Sequence, residues 1–206
     1  MSYRSTILLI CGLALIPAGG RAATGETGWQ GTSWGETSSA LAARFGKQAT
    51  SLDRPLDFGD AHVDVVLKNY PIGGYPVIVS FQMGNDGTGL KRIQIERARH
   101  GAVPQVSAAA FKELATLYGP PTESCAAPAR TVGDQTLIEH IWRRDGTVVR
   151  ALFREMSLNT LDPYLARANG DFEFFGASAA GLSQQLLIRI APAGTEPDDC
   201  RPKRKP

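Results

Sequence analysis

The order of helix and strand patterns constrains the fold of this chain more than any other feature of its sequence. An apolar stripe of helical spacing closes at Phe45, and a second one runs from Ala108 to Tyr118. Short alternating or β-branched runs, separated by turn signals, follow each stripe, and such runs are typical of antiparallel strands. They cover residues 63–67, 77–81 and 90–95 after the first stripe and 137–142, 148–153 and 186–190 after the second.

The two halves of the chain also share short sequence matches. Leu41–Gly46 (LAARFG) aligns with Leu114–Gly119 (LATLYG), and Gly-Leu pairs at 89–90 and 181–182 precede the third strand of each half. The sequence therefore predicts an α+β fold, in which two helix-plus-antiparallel-strand repeats form one body with the helices packed on one sheet face. The predicted repeats are residues 32–100 and 105–192, preceded by a flexible glycine-rich lead at 23–31.

Local signals set the predicted ends of the helices. Ser33 and Glu36 have the spacing of a capping box, in which each side chain binds the backbone N–H of the other residue. Gly46 suits the left-handed position after the last turn of the first helix. Ser107 is the predicted cap of the second helix, and Gly119 ends that helix.

The first 22 residues have the pattern of a secretory signal peptide. Arg4 provides a positive start, Ile7–Ile16 is an apolar run of ten, and Gly20–Ala22 offers a small-residue cleavage site. A helix needs about 20 apolar residues to span a bilayer, so this run is too short, and no later run is longer. We expect residues 1–22 to be removed and the mature protein to be soluble, without a transmembrane segment, and periplasmic or secreted. An uncleaved anchor is the alternative.

Two cysteines remain once the signal peptide, which contains Cys11, is removed. In an oxidising compartment Cys125 and Cys200 are expected to form one structural disulfide, which would tie the C-terminal segment to the end of the second helix. That segment, residues 193–206, ends in Arg201–Pro206 with four basic residues and two prolines. We expect a solvated, disordered tail, and contact with anionic surfaces is the alternative.

The sequence offers no established catalytic motif, and its best candidate cluster lies on one predicted strand. Asp60, His62 and Asp64 alternate, so their side chains are expected on one face, where two carboxylates and an imidazole could bind a divalent metal or polarise a water. Alternate side chains point outward in parallel and do not converge on one ion. A solvated polar strand face is therefore the preferred interpretation, and no metal or cofactor is predicted.

Charge and aromatic residues favour a protein partner over nucleic acid. The 22 basic and 20 acidic residues nearly balance and form no basic stripe, which excludes a typical nucleic-acid surface. Tyr70, Ile72 and Tyr75 lie around a predicted turn, and exposed loop aromatics are typical interface anchors. These three residues are the candidate partner-binding residues, and Trp29 is a further one. The alternative is that these side chains fold back onto the core.

The motifs at the helix ends resemble those of a known group of proteins. Ser33-Trp34-Gly35 opens a helix, Ala-x-x-Phe-Gly and Ala-x-x-Tyr-Gly close the two helices, and Gly-Leu precedes each third strand. Over about 160 of the 206 residues the chain resembles the secreted α+β repeat group that includes the β-lactamase inhibitor protein and the small lipoprotein of the β-barrel assembly machinery. The resemblance implies protein binding through sheet and loop surfaces. It assigns no individual binding residue.

The sequence therefore predicts an exported protein-binding module without catalytic activity, whose partner is a protein of the cell envelope or the exterior. A periplasmic hydrolase with an unidentified nucleophile is the first alternative, and Asp60, His62 and Asp64 would be its fragment. A small-ligand carrier that uses a concave sheet is the second alternative, and it requires an apolar cavity.

Overall fold

A computed structural model describes residues 25–97, 104–127, 136–155 and 184–195. These residues form two α-helices and eight β-strands. The first half of the chain contains α1 (Ser38–Phe45), β1 (Ala49–Asp57), β2 (Ala61–Ile72), β3 (Tyr75–Gly84) and β4 (Leu90–Glu96), and the second half contains α2 (Pro104–Tyr118), β5 (Glu123–Ala127), β6 (Thr136–Arg144), β7 (Thr147–Glu155) and β8 (Gln184–Pro192).

All eight strands belong to one antiparallel sheet. Its order is β1-β2-β3-β4-β8-β7-β6-β5, so the last strand of each half meets the other at the centre. There Ile93 lies opposite Ile190 and Ile95 lies opposite Ile188. The two halves of the chain are therefore joined by backbone pairing, and not only by side-chain packing.

The predicted fold class was wrong. The described residues form mostly antiparallel sheet, and the two helices have only 8 and 15 residues. They do not divide into two helix-plus-strand repeats; one continuous eight-stranded sheet dominates instead, and the two short helices add a few residues to its core. The sequence patterns underestimated the sheet because they missed β1 and β5, the two strands at its edges.

The edge strands lack the apolar alternation by which strands are recognised. β1 is mostly exposed, contains Pro55 and pairs with β2 through a register shift between Ser51 and Leu56. An edge strand packs against one neighbour only and is commonly blunted by proline, charge or a bulge. Its sequence therefore does not need to alternate between apolar and polar residues.

The main hydrophobic core lies on one face of the sheet, beneath the two helices. Phe81, Ile93 and Ile188 are fully buried on the central strands, and Leu41 of α1 and Leu114 of α2 pack into the same cluster. Val63, Val66 and Ile78 form a smaller cluster apart from the main core. Val66 lies between Val65 and Leu67 of β2, which both face the main core. Since neighbouring side chains of a strand point to opposite faces, the small cluster lies on the second face of the sheet.

The segment before α1 is folded and buries a tryptophan, whereas the sequence predicted a flexible lead. The hydroxyl of Thr27 lies 2.6 Å from that of Thr32 and closes a tight loop. Trp29, within this loop, is 3% exposed, and its ring centroid lies 5.4 Å from that of Tyr70 and 6.0 Å from that of Phe81. Trp29 therefore belongs to the core.

The helix ends follow the predicted local chemistry only in part. The carboxylate of Glu36 accepts the N–H of Ser33 at 3.1 Å, as the capping-box spacing predicted, but α1 starts at Ser38 with Thr37 as its N-cap. Gly46 adopts a positive φ of 51° and ends α1, as predicted. The second helix begins at Pro104, which places Ser107 inside its first turns.

Several predictions concern residues outside the described ranges. These are the signal peptide at 1–22, Cys200 and the basic end of the chain. Cys125 lies on β5. Because Cys200 is outside the described residues, the disulfide between the two cysteines stays a prediction. No helix among the described residues is both long and apolar enough to cross a membrane.

Candidate functional site

The candidate cluster of Asp60, His62 and Asp64 does not form one site. Asp60 forms ion pairs with Lys91 at 3.0 Å and Arg92 at 2.9 Å, while His62 Nδ1 lies 2.9 Å from Asn85 Oδ1. The hydroxyl of Ser38 donates to both carboxylate oxygens of Asp64 at 2.8 Å. The three side chains are thus bound by three different elements.

Asp60 precedes β2, which begins at Ala61, and a register shift lies between Val63 and Val65. Val63 lies opposite Gln82 and Val65 lies opposite Phe81, so Asp64 is an extra residue on β2. Such a bulge rotates the strand and breaks the alternation that the sequence pattern assumed. The guanidinium of Arg92, followed by the ammonium of Lys91, lowers the pKa of Asp60 to about 2, which suits a structural ion-pair partner and not a general acid.

The tyrosine hairpin, defined as Tyr70–Tyr75, packs against the core and α2. Ile72 is 3% exposed, and Tyr70 and Tyr75 are partly buried against the main core. Burial, followed by the nearby charge of Glu113, raises the pKa of Tyr70. The guanidinium of Arg97 lies 5.6 Å from the ring centroid of Tyr75. Ile72 therefore presents no area to a partner, and the partner-binding role of the two tyrosines stays a prediction.

The tip of the tyrosine hairpin fits closely under α2. The N–H of Gly73 donates to the carboxylate of Glu113, and both Gly73 and Gly74 have positive φ values, of 59° and 80°. A Cβ atom on Gly73 would lie 2.6 Å from the backbone carbon of Ala109. The hairpin thus approaches α2 at a distance that only glycine allows.

The second face of the sheet carries a connected array of polar side chains. Gln82 Nε2 donates to Gln94 Oε1 at 3.3 Å, and Gln94 Nε2 donates to Glu96 at 2.7 Å. Arg189 of β8 also donates to Gln94, at 3.2 Å, and Arg92 donates to Gln82. The array links β3, β4 and β8, and a hydrogen-bonded network of this kind fixes the positions of long side chains.

A buried ion pair extends the polar layer onto β6 and β7. Arg150 donates to Glu139 Oε1 from Nη2 at 2.7 Å and from Nε at 3.1 Å. The two side chains are 6% and 3% exposed. Desolvation of two charges is costly, so such a pair adds little net stability. Its role is to fix the positions of the two side chains on this face of the sheet.

Glu96 is the member of the polar array whose ionisation is penalised. Burial raises its pKa, and the charges of Arg189 and Arg154 and the hydrogen bond from Gln94 only partly oppose this effect. A carboxyl whose pKa is higher in the folded than in the unfolded state contributes most to stability at low pH. That contribution is lost as the pH rises through the folded-state pKa.

We therefore expect Glu96→Gln to stabilise the protein at neutral pH. The amide keeps the shape and removes the cost of a partly buried negative charge, so Tm should rise by about 2–4 °C at pH 7.5, which corresponds to about 1 kcal/mol for a chain of this size. At pH 4 the gain should be smaller. Thermal unfolding at both pH values checks this. Glu36→Gln, which removes an ion pair with Arg44, is the control and should give no gain.

A groove opens between the N-terminal loop, the end of α2 and the hairpin that joins β6 to β7. Its volume is about 230 Å³. Leu117, Tyr118 and Val149 form its apolar part, while Glu26, Arg144 and Asp145 stand at its polar edge. Leu117 is 50% exposed, and no other large hydrophobic side chain among the described residues is exposed.

Tyr118 connects the groove to the folded N-terminal loop. Its hydroxyl donates to the carbonyl of Gly28 at 3.2 Å, and burial raises its pKa to about 12. Trp142 lies next to it, with ring centroids 6.5 Å apart, and donates from Nε1 to the carbonyl of Gly119 at 2.8 Å. Two hydrogen bonds therefore tie the end of α2 to the N-terminal loop and to β6.

A serine and a histidine form a short contact across β5 and β6. Ser124 lies directly opposite His140, and Ser124 Oγ is 2.7 Å from His140 Nδ1. Phe111 of α2 packs against the imidazole edge-on, with ring centroids 4.6 Å apart. Burial lowers the pKa of His140 below its ordinary value, which favours the neutral form of the ring.

Among the described residues, no group of three or more His, Cys, Asp or Glu side chains could hold a metal ion. No protein-family model matches the chain, and neither does any curated protein or solved structure. The resemblance drawn from the helix-end motifs therefore stays a prediction.

Sequence reasoning missed the groove and the serine–histidine contact. Leu117 lies within the predicted second helix, beside the apolar stripe. This position is the sequence feature that could have indicated an apolar side chain outside the core. Ser124 and His140 are separated by 16 residues and face each other only because β5 pairs with β6 in this register. No local pattern in the sequence marks that register.

Proposed function

We propose that the chain is an exported protein-binding module and that its partner docks at the groove around Leu117. The observation that carries the proposal is a half-exposed leucine beside a groove of about 230 Å³. Protein interfaces combine apolar contacts with a polar rim, and the residues that line the groove include both apolar and charged side chains. The signal-peptide pattern of residues 1–22 supports export.

In this proposal the tyrosine hairpin is a less favoured binding surface than the groove. Ile72 is buried and Gly73 contacts α2, so the hairpin would have to leave the core before it could present all three predicted anchor residues. Leu117 requires no such rearrangement because half of its surface is already exposed. Apolar surface that is exposed before binding contributes to affinity without a reorganisation cost.

We expect Leu117→Glu to weaken partner capture strongly without unfolding the protein. A charge at the apolar centre of an interface costs more than about 2 kcal/mol, which reduces affinity by about 30-fold. The measurement is crosslinking of the C-terminally tagged protein in intact cells, followed by mass spectrometry of the captured proteins. Thermal unfolding of the variant should match that of the wild type.

The matched control is Thr116→Glu. Thr116 is exposed on the same helix, one residue away, and does not line the groove. Equal loss of capture in both variants would indicate a general charge effect and would contradict the assignment of the groove. A Tyr75→Ala variant tests the hairpin independently. If capture depends on Tyr75 and not on Leu117, the hairpin is the binding surface.

A further inference from the structure

We propose that Ser124 is a nucleophilic serine, that His140 is its general base, and that the pair accepts an acyl group from an ester. This inference does not depend on the binding groove, because the two sites share no residue. Its basis is the cross-strand geometry of the pair.

The distance and the exposure of the serine suit proton transfer and attack. The separation of 2.7 Å between Ser124 Oγ and His140 Nδ1 lies within the range over which a histidine accepts a serine proton. Ser124 is exposed on a strand at the edge of the sheet, so an ester can approach its oxygen from solvent. A nucleophilic serine requires both a base within hydrogen-bond distance and access for the substrate.

The surroundings of His140 hold the ring in place and keep it neutral. Phe111 packs edge-on against the imidazole, and Trp142 lies 6.0 Å away between centroids. Ala151 faces it from β7. These neighbours on α2, β6 and β7, together with Ser124 on β5, carry no charge, and burial lowers the pKa of the imidazole. A neutral imidazole with a fixed orientation can accept a proton at Nδ1.

The other described serines lack this arrangement. Ser38 donates to the carboxylate of Asp64, and the hydroxyl of Ser39 contacts that of Thr37. Ser107 is 2% exposed, and its hydroxyl has no hydrogen-bond partner among the described residues. Within the described ranges, an imidazole therefore contacts the hydroxyl of Ser124 and of no other serine.

The acylation step balances with the groups of the pair and the ester alone. The Ser124 Oγ–C bond forms as the ester C–O bond breaks, the hydroxyl proton passes to His140 Nδ1, and the departing alkoxide leaves as an alcohol with that proton. The products are an acyl-serine, an alcohol and a neutral imidazole. With a fluorophosphonate the Oγ–P bond forms, the P–F bond breaks and fluoride leaves, while the hydroxyl proton passes to His140 Nδ1 and from there to solvent.

A fluorophosphonate probe on the purified full chain tests the proposal. Modification of each serine is followed over time by mass spectrometry. We expect Ser124 to react at least about tenfold faster than Ser39, since a general base commonly contributes 10²–10⁴-fold. His140→Gln should remove this difference, and the matched variant His62→Gln should retain it. Equal rates at Ser124 and Ser39, or a fast rate that survives in His140→Gln, would overturn the proposal.

Two measurements on the unaltered protein keep the test decisive if His140→Gln does not fold. ¹⁵N NMR should show Nδ1 of His140 unprotonated and Nε2 protonated, as required if the serine donates. The labelling rate should stay constant down to a pH below 6.5, the ordinary pKa of histidine, and fall as the imidazole becomes protonated. A protonated Nδ1 at neutral pH would mean that the ring donates to the serine, which excludes the base role.

Discussion

Removing one partner of the Arg150–Glu139 ion pair is expected to destabilise the protein by about 3–5 kcal/mol. Both side chains are almost fully buried, and Arg150 makes two hydrogen bonds to one carboxylate oxygen. Arg150→Met leaves the charge of Glu139 buried without its guanidinium, and Glu139→Leu leaves the guanidinium without its carboxylate. Urea unfolding of each variant measures the loss.

The double variant Arg150→Met/Glu139→Leu separates the ion pair from simple packing. Because it removes both charges, it should cost at least about 2 kcal/mol less than the sum of the single variants. Arg143→Met, which breaks an exposed ion pair with Glu123 on the neighbouring strand, is the control and should cost less than about 1 kcal/mol. Additive losses in the double variant would mean that the two charges do not interact energetically.

Gly73→Ala is expected to destabilise the protein by about 3 kcal/mol or more, whereas Gly74→Ala should cost about 1–2 kcal/mol. Both glycines have positive φ values, which an alanine adopts at a similar cost. They differ in the space around them. A Cβ on Gly73 would lie 2.6 Å from Ala109 C and 2.8 Å from Ala110 N, whereas a Cβ on Gly74 would meet no atom within 4 Å. The difference therefore measures the packing of the hairpin on α2.

Thermal or urea unfolding of the two glycine variants provides the measurement. A large gap between them would place the tyrosine hairpin firmly in the folded core under α2. Equal and small losses would mean that the hairpin leaves α2 readily in solution. In that case Tyr70 and Tyr75 would again be available as anchors, and the hairpin would compete with the groove as the binding surface.

The interior strands were predictable because their sequences are rich in β-branched residues or alternate between apolar and polar residues. The runs at 77–81 and 90–95 lie within β3 and β4, and the run at 148–153 lies within β7. Asp145 and Gly146 form the turn that joins β6 to β7, with Arg144 opposite Thr147. Burial on one face of a paired strand imposes a period of two, which a sequence displays directly.

The candidate sites were less predictable because each depends on contacts between distant parts of the chain. The spacing of Asp60, His62 and Asp64 suggested one face, but Asp60 precedes the strand and a bulge at Asp64 interrupts its alternation. The exposure expected of Ile72 was not found because the hairpin packs under α2. A pattern of residue types records that a side chain is apolar, but not which element covers it.

The sequence by itself determined the interior strands, the hairpin turns and the glycine that ends α1, since each follows from backbone preferences within a few residues. Only the tertiary structure decided that β4 meets β8 at the centre of one sheet, that Trp29 belongs to the core, and that Ser124 faces His140. Strand order and register depend on how whole surfaces fit together. That fit is a property of the assembled sheet and not of any local segment.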